Sequence, residues 1–332
     1  MPDRRMRKPR SRIPEVLDGS SGHLSDSKKA NTTWQKAMED FLLWKKAHGV
    51  SEATLKGYNN HIKHFYKKNP LSWGKEEETK QGVLEHLSAN IKPATYNLRL
   101  IYLRAFYDWC IGEGFMYINP LDGYKKRKAP PRIVEIPLET LQHLLKLPNQ
   151  QTYAGLRDYS LIMFTLDTGT RPSEAFQLTV EDFDINNSSV TVPESVAKTR
   201  QSRTLPLLPS TMNTIKKLIR VRPDDWGEDL PVFSTTDGEN ITRKIWSKRM
   251  NEYSKELNFK IRPYDLRHAF AIMYLRNGGN AFSLQKLMGH ENMDMTKRYL
   301  NITGQDLREA HEQASPINKL IPKKNTRIRK LK

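Results

Sequence analysis

The chain has 332 residues and a formal net charge of +18 at pH 7, with 55 Lys and Arg against 37 Asp and Glu, and a pI near 9.8. That excess points to a polyanionic partner, double-stranded DNA ahead of an anionic membrane, because no uninterrupted apolar run approaches the ~20 residues of a spanning helix. The single cysteine, Cys110, excludes an intrachain disulfide and argues against a cysteine-built zinc site; the start MPDRRMRKPRSR has no apolar stretch behind it, so no signal peptide and a cytoplasmic, nucleoid-associated protein are expected.

Length suggests about two domains. Residues 1–28 are rich in Arg, Ser, Gly and Pro and read either as a mobile basic arm or as a solvated tail. From Thr33 the pattern turns helical, with Trp34, Ala37, Met38, Phe41 and Leu42 on one side. His48-Gly49 ends that helix, and Ser51 caps a second one carrying Leu55, Tyr58, Ile62, Phe65 and Tyr66. Residues 81–89 suit a short third helix, and Pro93 opens a long fourth with Leu100, Leu103, Phe106 and Tyr107 on one face. The result is a four-helix unit over 29–122. Lys63, His64, Lys67, Lys68, Asn97, Arg99 and Arg104 lie on its polar sides, where they suit contacts to a phosphate backbone or are simply solvated. Residues 123–135 include GYKKRKAPPR, a basic, semi-rigid linker whose Lys125, Lys126, Arg127 and Lys128 could lie against phosphates.

A second domain is expected over 136–321. Pro137 opens a helix to about Leu147, and a largely buried helix follows from about 154 to 167. The period then changes: Phe183-Asp184-Ile185, the turn 186–188 and Val190-Thr191-Val192 read as a hairpin. A third strand follows a basic turn in which Arg200 and Arg203 are two further candidates for DNA contact. The remainder reads as helices near 210–221, 242–257, 264–276, 283–288, 294–301 and 305–313, so the chain is mainly α with a small antiparallel sheet. Residues 322–332 are a basic tail.

Metal-free phosphoryl transfer on DNA needs a nucleophile, fixed cations on the non-bridging oxygens, and an acid for the leaving 5′ oxygen. Arginine suits the clamp because its planar fork donates two hydrogen bonds and keeps its charge. Arg171 sits at a helix start with Glu174 placed to orient it. Arg267 lies one turn from Tyr264 in RPYDLRHAFA and shares its face, whereas His268 points about a hundred degrees from Arg267 and reads as a supporting or core histidine. Lys198, near a strand start, suits a mobile acid, although a turn lysine is usually only solvated. Gly289 allows a tight turn that projects His290 into a cleft, with Thr296 and Tyr299 on one helical side nearby. A free tyrosine is a weak nucleophile with a pKa near 10, and cations around it would favour the phenolate; taken alone it is more often core packing.

The combination is far more specific than its parts. Gly-Thr-Arg-Pro-Ser-Glu, a lysine 27 residues after Arg171, an Arg-His pair, Gly-His 22 and 23 residues after Arg267, and a tyrosine nine after His290 together resemble the tyrosine recombinase, or phage integrase, family. The resemblance spans residues 30–315. It implies a helical core-binding (SAM-like) domain followed by a mixed α+β catalytic domain. It also implies a 3′-phosphotyrosyl intermediate that needs no cofactor and no metal. Tyr299 would be the nucleophile, Arg171, Arg267 and His290 the stabilisers of the phosphorane, and Lys198 the general acid. A homotetramer on two duplexes, with a possible accessory DNA-bending or directionality protein, is the partner set so implied; the amphipathic segment Gln305–Ala314 would dock on a neighbour or fold back in cis. The other readings are a type IB topoisomerase-like nicking-closing enzyme and a non-cleaving DNA-binding protein. One departure stands out. The family usually has histidine three residues before the second arginine, and here that residue is Tyr264, a poor proton acceptor at neutral pH. Tyr264→His is therefore expected to retain or raise DNA cleavage, measured as covalent adduct on a nicked duplex; complete loss in folded protein would contradict this.

Overall fold

The computed structural model describes residues 32–129, 134–300, 308 and 311–320. The basic arm, the middle of the linker, most of the segment 301–310 and the basic tail lie outside the described residues. The chain divides into two compact units on either side of residue 130.

The first unit contains α1 (Trp34–Ala47), α2 (Glu52–Lys68), α3 (Glu76–Ser88) and α4 (Pro93–Gly112). Thr33 caps α1 by accepting from the Lys36 N–H at 3.3 Å, and Pro93 takes the first turn of α4, where its missing N–H costs nothing. The apolar faces meet in an aromatic core of Phe41, Phe65, Tyr66, Phe106 and Tyr107. Tyr66 and Tyr107 share a hydroxyl contact at 3.2 Å inside it. Helix α3 begins at Glu76 rather than near residue 81. Its first turn is Glu76, Glu77 and Glu78, charges that suit a helix N-terminus, and the Thr79 hydroxyl donates to the Lys75 carbonyl at 2.7 Å.

The segment 123–129, expected to be linker, is docked on this unit. The Arg127 guanidinium lies 3.8 Å from the Tyr96 ring centroid. Asn97 and Arg127 exchange two hydrogen bonds at 2.8 Å. Arg104 donates to the carbonyls of Leu121 and Tyr124 at 2.8 and 2.7 Å. Arg104 and Arg127, expected to contact DNA, thus fasten the end of the unit, and Arg99 donates to the His86 carbonyl. Lys63, His64, Lys67, Lys68, Lys125, Lys126 and Lys128 are exposed.

The second unit runs α5 (Leu138–Leu144), α6 (Tyr153–Thr168), α7 (Pro172–Ala175), β1 (Phe183–Asp184), β2 (Ser189–Val192), β3 (Arg203–Pro206), α8 (Pro209–Arg220), α9 (Arg243–Glu256), α10 (Pro263–Arg276), α11 (Ala281–Met288), α12 (Met293–Lys297) and α13 (Ile317–Leu320). The three strands form one antiparallel sheet in the order β1-β2-β3, with Phe183 opposite Val190 and Val192 opposite Arg203. Val190, Val192 and Leu205 face the core. Helix α6 is the axis of the unit and packs on both α8 and α10. It buries charge as well as apolar surface. Asp158 is fully buried and accepts from Arg157 at 2.7 Å, from Arg249 at 2.6 Å and from the Tyr253 hydroxyl at 2.8 Å. The apolar periodicity that marks α6 gives no sign of this network, because two of its partners come from α9.

Helix α12 stops at Lys297, short of the expected 301, and Tyr299 lies in the turn beyond it. The Tyr299 N–H bonds back to the Thr296 carbonyl at 2.9 Å, closing a four-residue turn instead of continuing the helix. Of the segment expected to be helical near 305–313, the described residues 308 and 311–314 are helical.

Candidate active site

Two glycine turns place Arg171 and His290. Helix α6 ends on Gly169, in the left-handed region at φ 64°. A Cβ there would lie 2.2 Å from Phe270, so the position takes no side chain. The chain then turns directly into α7, whose N-cap is Arg171. Gly289, at φ 61°, ends α11 in the same way and delivers His290.

Glu174 draws three separate stretches of chain together. It is buried, pairs with Arg171 at 3.0 Å and with Arg203 at 2.5 Å, and accepts from the backbone N–H of Lys198 at 3.2 Å. Burial pushes its carboxyl pKa up, but the hydrogen bond and charge of Arg203 and the charge of Arg171 win, and the net shift is downward. Arg171 also donates to the Gly289 carbonyl at 3.0 Å. Arg203 donates from Nε to the Leu287 carbonyl at 3.1 Å. Its place on a basic turn suggests a DNA contact, but the Arg203 side chain is 10% exposed and lies against Glu174. Arg200 and the Lys198 side chain stay on the exposed side of the β2–β3 turn.

Arg267 is fully buried. It donates to the carbonyls of Gly169 at 2.6 Å and Met288 at 2.8 Å, which ties α10 to both glycine turns. Burial, followed by the Arg171 charge, lowers its pKa to about 10, so it remains cationic at neutral pH. Two guanidinium groups of this cluster are incompletely satisfied: Arg267 Nε and Arg203 Nη1 have no hydrogen-bond partner. Such an unmet donor costs roughly 1–3 kcal/mol. Buried Arg171 and Arg267 with part-buried Arg203, gathered about the Glu174 carboxylate and two of them with unmet donors, form a site suited to an anion.

His290 is buried and its Nδ1 lies 2.8 Å from the Thr296 hydroxyl. Burial, then the charges of Arg267, Arg171, Arg298 and Arg203, lower its pKa to about 3, so it is a neutral hydrogen-bonding group. The Tyr299 ring is stacked on it, with centroids 6.4 Å apart. The same ring rests on Phe270, Ala271, Leu284 and Met288. Tyr264, at the surface, stands edge-on to His268 with ring centroids 5.0 Å apart, and the Arg267 guanidinium lies 5.9 Å from its ring. The Tyr299 hydroxyl meets His268 Nδ1 at 2.8 Å.

From sequence, the surrounding cations are expected to favour the Tyr299 phenolate. In the free protein, burial works against this. Burial comes first and carries the phenol pKa up to about 12, with Tyr264 adding to it; Arg267, Arg298 and Arg171 pull downward and lose. Without a bound anion, Tyr299 is a neutral phenol.

Arg171, Glu174, Arg267, His290 and Tyr299 are therefore brought into one neighbourhood, joined by the Lys198 backbone. Two further members have places the sequence does not announce. Arg203 reaches Glu174 across 29 positions, and no local pattern encodes that pairing. His268, by sequence a supporting or core histidine, touches the phenol itself. The helix carries a signal for that, because residues four apart share a face and Tyr264 lies four before it.

A protein-family model described as the phage integrase family matches residues 136–305. The tyrosine recombinase XerC of Escherichia coli O1:K1 is 27% identical over 276 residues, which cover 80% of this chain and 91% of the relative. XerC of Thermodesulfovibrio yellowstonii is 24% identical over 284 residues, covering 82% and 93%. Among solved structures, a Tn1549 transposon integrase in complex with a circular intermediate DNA superposes with a TM-score of 0.68 at 20% identity, covering 85% of this chain and 100% of that one. A lambda integrase dimer bound to a core site gives 0.62 at 17% identity, covering 80% and 97%.

The depressed pKa of His290 has a measurable consequence. The unfolded chain takes up a proton at this residue as pH falls through ~6.5, whereas the fold does not until about 3. Stability should therefore fall as pH drops from 6.5 toward 3, and His290→Asn should flatten that slope in thermal melts of the free protein. In NMR, the His290 ring should not titrate between pH 5 and 8; a midpoint near 6.5 would contradict the neutral, desolvated ring.

Proposed function

The chain belongs to the phage integrase family of tyrosine recombinases, and on that premise we propose that it is a site-specific DNA recombinase that cuts and rejoins strands through a 3′-phosphotyrosyl intermediate. The observation that carries this reading is the cage itself: Arg171 and Arg267, buried with His290, and part-buried Arg203, beside the hydroxyl-bearing ring of Tyr299.

In this reading a scissile phosphate enters the site and takes hydrogen bonds from the guanidiniums, including donors that have no partner in the free protein. The Tyr299 oxygen attacks phosphorus, and the P–O5′ bond breaks. Arg171, Arg267 and neutral His290 hold the non-bridging oxygens as charge grows on them. Lys198, on the exposed β2–β3 turn and tethered through its backbone to Glu174, protonates the leaving oxygen. The covalent link keeps the energy of the phosphodiester, so a 5′-OH from a second strand reverses the step without nucleotide hydrolysis. Exchange between two duplexes requires four strand cuts. One tyrosine per cut gives a homotetramer on two DNA sites, and the expected outcome is integration, excision or resolution of a mobile DNA segment.

The +18 charge supports backbone contacts, to which exposed Lys63, Lys67, Lys125, Lys126 and Lys128 contribute. The test uses duplexes selected by the protein from a randomised pool and nicked beside the cut so that a short 5′ fragment escapes. Wild-type protein should accumulate a covalent adduct and Tyr299→Phe none while still binding, and Arg267→Ala should slow adduct formation at least ~100-fold. Strand exchange between two intact sites separates a recombinase from a nicking-closing enzyme. Adduct formation by Tyr299→Phe would overturn the assignment.

A further inference from the structure

We propose that His268 is the general base that accepts the proton of Tyr299 during strand cleavage. The proposal rests on Tyr299 being the nucleophile.

The geometry is direct. His268 Nδ1 lies 2.8 Å from the phenol oxygen, and the two rings are 5.6 Å apart, tilted 52°. A neutral imidazole that accepts at Nδ1 carries its own proton on Nε2. The other groups near the phenol are poorly placed for the task. Tyr264, one helical turn before Arg267, is itself a phenol. His290 lies nearly parallel to the Tyr299 ring, at 9°, and its Nδ1 is engaged with Thr296. The Glu174 carboxylate is occupied by Arg171, Arg203 and the Lys198 N–H. Lys198 is assigned to the opposite side of phosphorus. The structure therefore carries its base on the next turn of α10, four residues after Tyr264. Tyr264 in turn stands edge-on to the His268 ring and limits its rotation.

Protons and bonds balance in both directions. In cleavage, the phenol proton passes to His268 Nδ1 while the Tyr299 oxygen bonds phosphorus. The P–O5′ bond breaks, and the leaving oxygen takes a proton from the Lys198 ammonium. On rejoining, the incoming 5′-OH gives its proton to the Lys198 amine and bonds phosphorus. The phosphotyrosyl P–O bond then breaks, and the phenolate recovers its proton from the His268 imidazolium.

A base and a mere anchor for the hydroxyl predict different chemistry. Glutamine can hold the phenol by a hydrogen bond but cannot take its proton. His268→Gln should form adduct on the nicked duplex ~100- to 10,000-fold more slowly than wild type. Fluorotyrosine placed at position 299 is more acidic and should recover most of that loss. A substrate with sulfur in place of the bridging 5′ oxygen, whose leaving group needs no proton, should not. Lys198→Ala should behave in the opposite way, rescued by sulfur and not by fluorination. His268→Asn serves as a second variant, and far-UV circular dichroism and DNA binding confirm that each variant is folded. Cleavage by His268→Gln at the wild-type rate, or a defect repaired by sulfur and not by fluorination, overturns the proposal. Absence of adduct from the wild-type protein overturns the reading of Tyr299 as nucleophile, and this proposal with it.

Discussion

The site depends on one buried carboxylate. Glu174 is 1% exposed, and its two oxygens meet Arg171, Arg203 and the Lys198 N–H. Like charges brought together out of water repel strongly, and a buried cation without a partner is costly. Glu174 offsets part of that cost, and so permits two guanidiniums to stand beside a third, Arg267. It also joins separate pieces of chain: α7, the loop between β2 and β3, and β3 itself. Arg171 extends the connection to Gly289 and hence to His290. The carboxylate does not neutralise the cluster. Burial first, and then the neighbouring Arg171 charge, lower the pKa of Arg267.

That remaining charge and the burial of Tyr299 oppose each other in the free protein. Desolvation outweighs the cations, and Tyr299 rests as a phenol hydrogen-bonded to His268. A phosphate would supply the missing anion and accept from the unmet guanidinium donors. In the proposed reaction it would also bring phosphorus to the Tyr299 oxygen. In the proposed reaction the Tyr299 oxygen thus stays protonated until a phosphate arrives, and a base is then needed. A tyrosine in place of the usual histidine at 264 makes that requirement sharper.

Much of this is legible in the primary structure. Apolar spacing marks the helices of both units, and the change of period marks the hairpin at Phe183–Val192. The spacing of Arg171, Lys198, Arg267, His290 and Tyr299 carries the family. What escapes depends on contacts between residues far apart in the chain. Arg203 looks like any basic turn residue until β3 pairs with β2 and turns it toward Glu174. Arg127 looks like linker until Tyr96 supplies a ring for its guanidinium. The end of α12 departs from expectation because Thr296 and Tyr299 continue a helical pattern. In the fold the Thr296 hydroxyl meets His290, and the Tyr299 ring turns onto Phe270, Leu284 and Met288. In each case a tertiary contact overrides a correct local preference.

In the proposed reaction a phosphate held by this cage is attacked by one particular oxygen. That step is tested most directly by digesting the covalent protein–DNA adduct and locating the nucleotide by mass spectrometry. The account predicts a single modified peptide, containing Tyr299, joined to the 3′-phosphate of the cleaved strand. A nucleotide on Tyr264 or any other residue, or a link to a 5′-phosphate, would contradict it.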